Sequence, residues 1–179
     1  MTLSPRLRKL MLAIHLTSAI GWTGAAAAYL VLVFIVLTNP DTRTVVDAKL
    51  VMELTVWFVI VPLAYLAFLT GLVISLGTPW GLFRYFWVLF SFLLTLFAIY
   101  ILTEYSISAI DAAALAAKPD LSSADLHLLR DPGDAVHDIG GILLLLSVTV
   151  LNIYKPRGLT RYGWRKQREA KVARLARAG

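Results

Sequence analysis

The sequence predicts an all-α integral membrane protein, a bundle of four transmembrane helices with both termini cytoplasmic. Three observations predict it. Hydrophobic residues make up 59% of the 179 residues and charged residues only 16%, against roughly 45–50% and about 25% in soluble domains. Four apolar stretches, 10–37, 51–76, 85–103 and 136–154, run for 28, 26, 19 and 19 residues, and about 20 helical residues cross a hydrocarbon core roughly 30 Å thick. The third observation is charge. With four spans the termini and the 77–84 turn share one side, which carries 13 Lys/Arg and a single acid, Glu169. The opposite loops and adjoining span ends carry 4 Lys/Arg and 10 Asp/Glu. Lys and Arg accumulate in cytoplasmic loops, which puts both termini inside a bacterial cytoplasmic membrane.

The mean hydropathy of +0.74 excludes an ordinary soluble domain and, more firmly, a disordered chain. The chain has no cysteine, which removes disulfides, thiolate metal sites, cysteine nucleophiles and iron–sulfur clusters. Its formal charge of +6 gathers at one end of the spans and lines no exposed face, so no nucleic acid is expected as a partner.

The elements follow in order. Leu3–Lys9 is a basic lead-in to the first span. Arg6, Arg8, Lys9 and the Ala25–Ala28 run imitate a signal peptide, but the apolar run continues through Leu37 and reads as a retained span. Pro40 and Asp41 break the chain, and Pro62 should kink the second span. Gly77–Gly81 is a turn that sets Trp80 at the inner interface. In the outer loop, 104–135, Ile107–Lys118 is helix-prone and stopped by Pro119. Ser122 and Asp125 form a capping box for a short helix through Arg130, and Asp131–Asp134 turns the chain into the fourth span. Residues 1–154 thus form the membrane domain and 155–179 a basic cytoplasmic tail with nine Lys/Arg and one Glu, helical from Trp164. Lys155, Arg157, Arg161, Arg165, Lys166 and Arg168 are its candidate contacts to anionic lipid, at about 1 kcal/mol per basic residue near the surface. A plain determinant of topology is the competing reading.

Polar groups inside a bilayer are costly and mark function or helix packing. Of three histidines, His15 and His137 lie in spans. Their positions put them roughly 25 Å apart along the membrane normal, or about 19 Å if the first span slides outward by one turn. Two axial nitrogens on one iron sit about 4 Å apart, so this pair cannot share a haem. A haem b held by His15 with a weaker partner stays open. Packing competes with it: His15, Ser18, Trp22, Ala25 and Tyr29 share a face, and Ser18, Gly21, Ala25 and Ala28 make a small-residue stripe. Ser75, Ser91, Thr149 and Asn152 are candidate partners for the imidazole. At the outer mouth, Glu53, Glu104, His137 and Asp138 fall at nearly one height. That set suits a divalent metal or proton transfer, or else it is a wetted boundary paired with Arg43, Lys49 or Arg130. Gly140-Gly141 reads as a close-packing point for the fourth span. No phosphate loop, nucleotide fingerprint, serine-hydrolase motif or HExxH motif occurs.

The segment His15-Leu-Thr-Ser-Ala-Ile-Gly-Trp-Thr-Gly24 resembles the first helix of a broad class of small bacterial membrane proteins, which extends distantly to the copper-resistance D-type membrane proteins. Met52-Glu53-Leu54, Leu76–Arg84 and Tyr154–Lys166 resemble a narrower group of uncharacterised bacterial membrane proteins frequent in actinobacteria. That resemblance spans nearly the whole chain and implies a four-helix membrane fold without an activity. The copper link implies metal handling. This chain departs from such a pattern in having no cysteine and three unclustered methionines, Met1, Met11 and Met52.

Three functions follow as expectations. The first is a non-enzymatic protein acting through membrane partners, a second copy of the chain among them. The second binds haem or a metal through His137 with Glu53 and Glu104, or through His15. The third is a small proton-coupled transporter using the same carboxylates.

Overall fold

The computed structural model describes residues 3–178 and, among these, contains helices and no strand. Helix α1 spans Pro5–Thr38, α2 Thr42–Thr55, α3 Val61–Gly77, α4 Phe86–Ala116, α5 Ser123–Leu129, α6 Gly133–Tyr154 and α7 Arg161–Ala178. A π-helical turn, Val56–Ile60, joins α2 to α3, so Thr42–Gly77 is one continuous helical rod. Four helical segments are long and apolar enough to cross a membrane: Pro5–Thr38, Thr42–Gly77, Phe86–Ala116 and Ser123–Tyr154.

The ends of these rods follow their residues. Ser4 caps α1 by accepting from Leu7 N–H, and Pro5 fits the first helical position, where no ladder donor is needed. Asp41 caps α2, which therefore starts nine residues before the expected second span. The third span also outruns its expected end. Between Tyr85 and Pro119 there is neither Gly nor Pro, and the alanine-rich stretch continues the ladder to Ala116. The separate helix expected over Ile107–Lys118 is the far end of α4, and the 104–135 segment is correspondingly less of a loop. The expected capping box is present: Ser122 accepts from Asp125 N–H at 3.1 Å and Asp125 accepts from Ser122 N–H at 3.0 Å.

Pro62 makes itself felt one turn upstream. It has no N–H for Phe58 O, and its ring crowds that carbonyl. The ladder widens there into the π turn, with Val61 N–H donating to Val56 O.

The main core runs along one face of α1, with Trp22, Tyr29, Val33 and Val36 packed against Val45, Met52, Val56, Ile60 and Ala64. Most large apolar side chains outside this seam are exposed, Phe58 and Ile153 among them. A second cluster, Leu82, Trp87 and Val88, closes the opposite end. There the chain ends meet the 78–85 turn: Leu3 N–H donates to Gly77 O at 2.9 Å, Thr160 N–H to Arg84 O at 3.1 Å and Phe86 N–H to Gly158 O at 3.2 Å. Gly163 is required by this docking, since a Cβ would stand 2.3 Å from Arg84 O. Helix α7 begins at Arg161 rather than Trp164, and from Arg161 to Ala176 it is exposed except at Gly163.

Candidate functional site

At the α5 end of the bundle, four helices contribute to one polar chain. Lys49 of α2 is buried, and its Nζ donates to Asp134 Oδ2 of α6 at 2.5 Å. Tyr105 Oη of α4 donates to Asp134 Oδ1 at 2.8 Å. Tyr29 Oη of α1 lies 3.2 Å from Tyr105 Oη. Because the single hydroxyl hydrogen of Tyr105 goes to Asp134, Tyr29 is the donor in that bond. Both carboxylate oxygens of Asp134 are therefore occupied, and the buried ammonium has its counter-ion. The imidazole of His137 lies flat on the Tyr105 ring, with centroids 3.9 Å apart and planes 10° from parallel.

Two spaces flank the tyrosine pair. One, about 30 Å³, lies among Lys49, Glu53, Ser108 and Asp134, which is room for a single water. The other is a cleft of about 310 Å³ between α1, the π turn, α4 and α6. Tyr29 and Tyr105 line both. The cleft walls are apolar: Trp22 and Ala26, Val56 and Ile60, Phe97, Ala98 and Leu102, and Leu144 and Leu145. Its polar end holds His137 and Asp138. Asp138 is only 7% exposed, and its Oδ2 is buried with no hydrogen-bond partner.

Gly140 and Gly141 line this cleft, and a Cβ built on either meets nothing within 4 Å. This corrects their expected role. They do not bring another helix close; they leave room beside α6. Close approach happens instead at Gly71, where a Cβ would stand 3.0 Å from His15 Cε1.

His15 Nδ1–H donates to Ala67 O at 2.9 Å, with Thr70 Oγ1 at 3.3 Å. The expected partners do not reach it. Ser75, Thr149 and Asn152 bond to carbonyls of their own helices, and Ser91 Oγ has no partner. An imidazole fixed between α1 and α3 serves packing, and His15 is not among the residues lining the cleft.

The expected metal set is not gathered. Glu53 faces the small polar space, Glu104 is exposed, and His137 with Asp138 faces the cleft. Among the described residues no group of three or more His, Asp or Glu side chains is placed to hold a metal ion. The expected pairings for these acids are also corrected: Lys49 neutralises Asp134, and Arg130 donates to Asn39 O at 2.6 Å. Nothing in the sequence joins Asp134 to Tyr105 and Tyr29, although Asp134 and Asp138 share a helix face by their spacing alone.

The tail residues Lys155, Arg157, Arg161, Arg165, Lys166 and Arg168 are all exposed. Lys155 takes a left-handed conformation (φ 45°) at the end of α6, and its Nζ lies 5.3 Å over the Trp80 ring. Glu169 pairs with Lys166 at 2.9 Å and Arg165 at 3.9 Å.

Comparison with protein-family models, characterised proteins and solved structures returned no match for the chain.

Proposed function

We propose that the protein is a non-enzymatic, four-span protein of the bacterial cytoplasmic membrane, with both termini inside, that acts by binding components of the membrane. The cleft carries this reading. Its depth is buried, as at Trp22, Ala26 and Val56, while Phe97 (54% exposed) and Val136 (74% exposed) sit at its rim. In a bilayer that rim opens to lipid, so a lipid-phase partner reaches the cleft without crossing water. At about 310 Å³ the space lies at the low end of small-molecule sites.

Sidedness rests on charge. The end that gathers residue 3, the 78–85 turn and α7 is the basic end, and basic ends face the cytoplasm. Helix α7 has no apolar stripe to insert, so it meets anionic headgroups by charge. The haem and metal readings draw less support, because the imidazoles and carboxylates proposed for them are dispersed over three surroundings.

The test is native mass spectrometry of the full chain purified from membranes in mild detergent, beside a Gly140→Leu variant. The expected result is one retained small molecule per chain, lost when leucine occupies the cleft. Equal retention by both proteins, or none by either, would reject the reading. An absorption spectrum of the same sample, with a Soret band as its signal, tests the haem alternative.

A further inference from the structure

The cleft has two unlike ends. Along α6 it runs from His137 and Asp138 to Leu144 and Leu145, and along α1 from Tyr29 to Trp22. Seven residues of helix make its length about 10 Å. One end therefore offers a carboxyl, an imidazole and two phenol hydroxyls. The remainder offers aromatic and aliphatic surface.

The polar end is biased in what it accepts. Tyr105 spends its hydrogen on Asp134, and Tyr29 spends its own on Tyr105. Two groups remain: the His137 imidazole, whose one N–H and one bare nitrogen suit either kind of head, and Asp138 Oδ2, buried beside the cleft and unpartnered. An ionised carboxylate only accepts hydrogen bonds. A buried acceptor without a donor is costly, and a guest that brings one removes that cost. An anionic head would instead set a second acceptor against Asp138.

Resting on the binding reading above, we infer that the cleft takes a lipid-soluble molecule with a single hydrogen-bond-donating head, an amine or an alcohol. The head meets Asp138 and the apolar body lies along Trp22 and Leu145. A cavity of about 150 Å³ holds benzene, so twice that volume holds a two-ring body or a chain of comparable bulk. The glycines leave that space clear, since both line the cleft and a Cβ at either meets nothing within 4 Å.

The experiment uses the full chain in lipid nanodiscs, with empty nanodiscs as the blank. Decylamine, decanol and decanoate are titrated against it by calorimetry. Saturable binding of the amine and the alcohol is expected at one per chain, with decanoate at least about tenfold weaker. Asp138→Asn should weaken the amine about tenfold while leaving the fold intact by circular dichroism, and Gly140→Leu should abolish all binding. Decanoate binding as tight as decylamine, or an Asp138→Asn variant that binds the amine unchanged, overturns the donor-head inference while leaving the cleft in use. Saturable binding that survives Gly140→Leu, or no saturable binding at all, overturns the cleft reading itself.

Discussion

Asp134 and Asp138 stand one helical turn apart on the same face of α6, in opposite surroundings. Asp134 has an ammonium on one oxygen and a phenol on the other. Asp138 is the more deeply buried of the two, and one of its oxygens has no partner. A satisfied buried carboxylate fixes four helices relative to one another. An unsatisfied one stores a preference for something that is not part of the chain.

The largest effect should come from separating the two by stability. Asp134→Ala leaves the Lys49 ammonium buried and unpaired, and removing one partner of a buried pair costs about 3–5 kcal/mol. Asp138→Leu replaces an unsatisfied group by an apolar one of similar size. It should leave stability unchanged or raise it by about 1–3 kcal/mol, the desolvation cost recovered. Unfolding of both variants by denaturant in one detergent decides the matter, and equal losses would break the comparison.

Much of this is legible in the sequence, for a physical reason. Spans of about 20 apolar residues, the Ser122 capping box and the Pro62 disturbance are local consequences of composition and backbone chemistry. The ends of α2 and α4 lie beyond the apolar stretches because hydropathy marks where a helix leaves apolar surroundings, not where its hydrogen-bond ladder stops. The polar site is legible only in outline. Height along the membrane put Glu53, Glu104, His137 and Asp138 at one level, yet height carries no information on rotation about each helix axis. Rotation sends Glu104 outward and brings Tyr105, its neighbour in the chain, inward to Asp134. Nothing in the residues 140–141 distinguishes a glycine that admits a helix from one that leaves a cleft.

Smaller effects sharpen the account of the saturated half. Tyr105→Phe removes a bond to a charged acceptor, worth about 1.5–3 kcal/mol, and strands the Tyr29 hydroxyl. Tyr29→Phe removes one neutral bond at the end of the chain, worth about 0.5–1.5 kcal/mol. The order of the two losses, measured by the same unfolding assay, tests the donor directions. Equal losses would mean that Tyr105 does not donate to Asp134.

The two kinds of glycine should part in sign. Gly71→Ala places a methyl against the His15 ring, 3.0 Å from Cε1, and displaces the imidazole that bonds Ala67. Overpacking of this kind costs about 1–3 kcal/mol. Gly140→Ala meets open space, and the better helix former should gain about 0.5–1 kcal/mol. A loss at Gly140 as large as at Gly71 would show that α6 sits closer to its neighbours than the cleft allows.

The smallest effect belongs to an acid with no part in the interior. Asp41 is fully exposed and caps α2, accepting from Thr44 N–H at 2.9 Å and from Thr44 Oγ at 2.7 Å. Those bonds, the hydroxyl first, hold its carboxyl below the ordinary value of 3.8. A depressed folded-state value means the cap's contribution is complete above that ordinary value and is lost as pH falls through the folded one. Acid should therefore fray the first turn of α2. The Thr44 amide resonance, followed by NMR between pH 5 and 2 (about the range in which a carboxylate titrates), should move with a midpoint below that of an unbonded aspartate, and Asp41→Ala should abolish the movement. A midpoint at or above the ordinary value would mean that the cap does not favour the charged carboxylate.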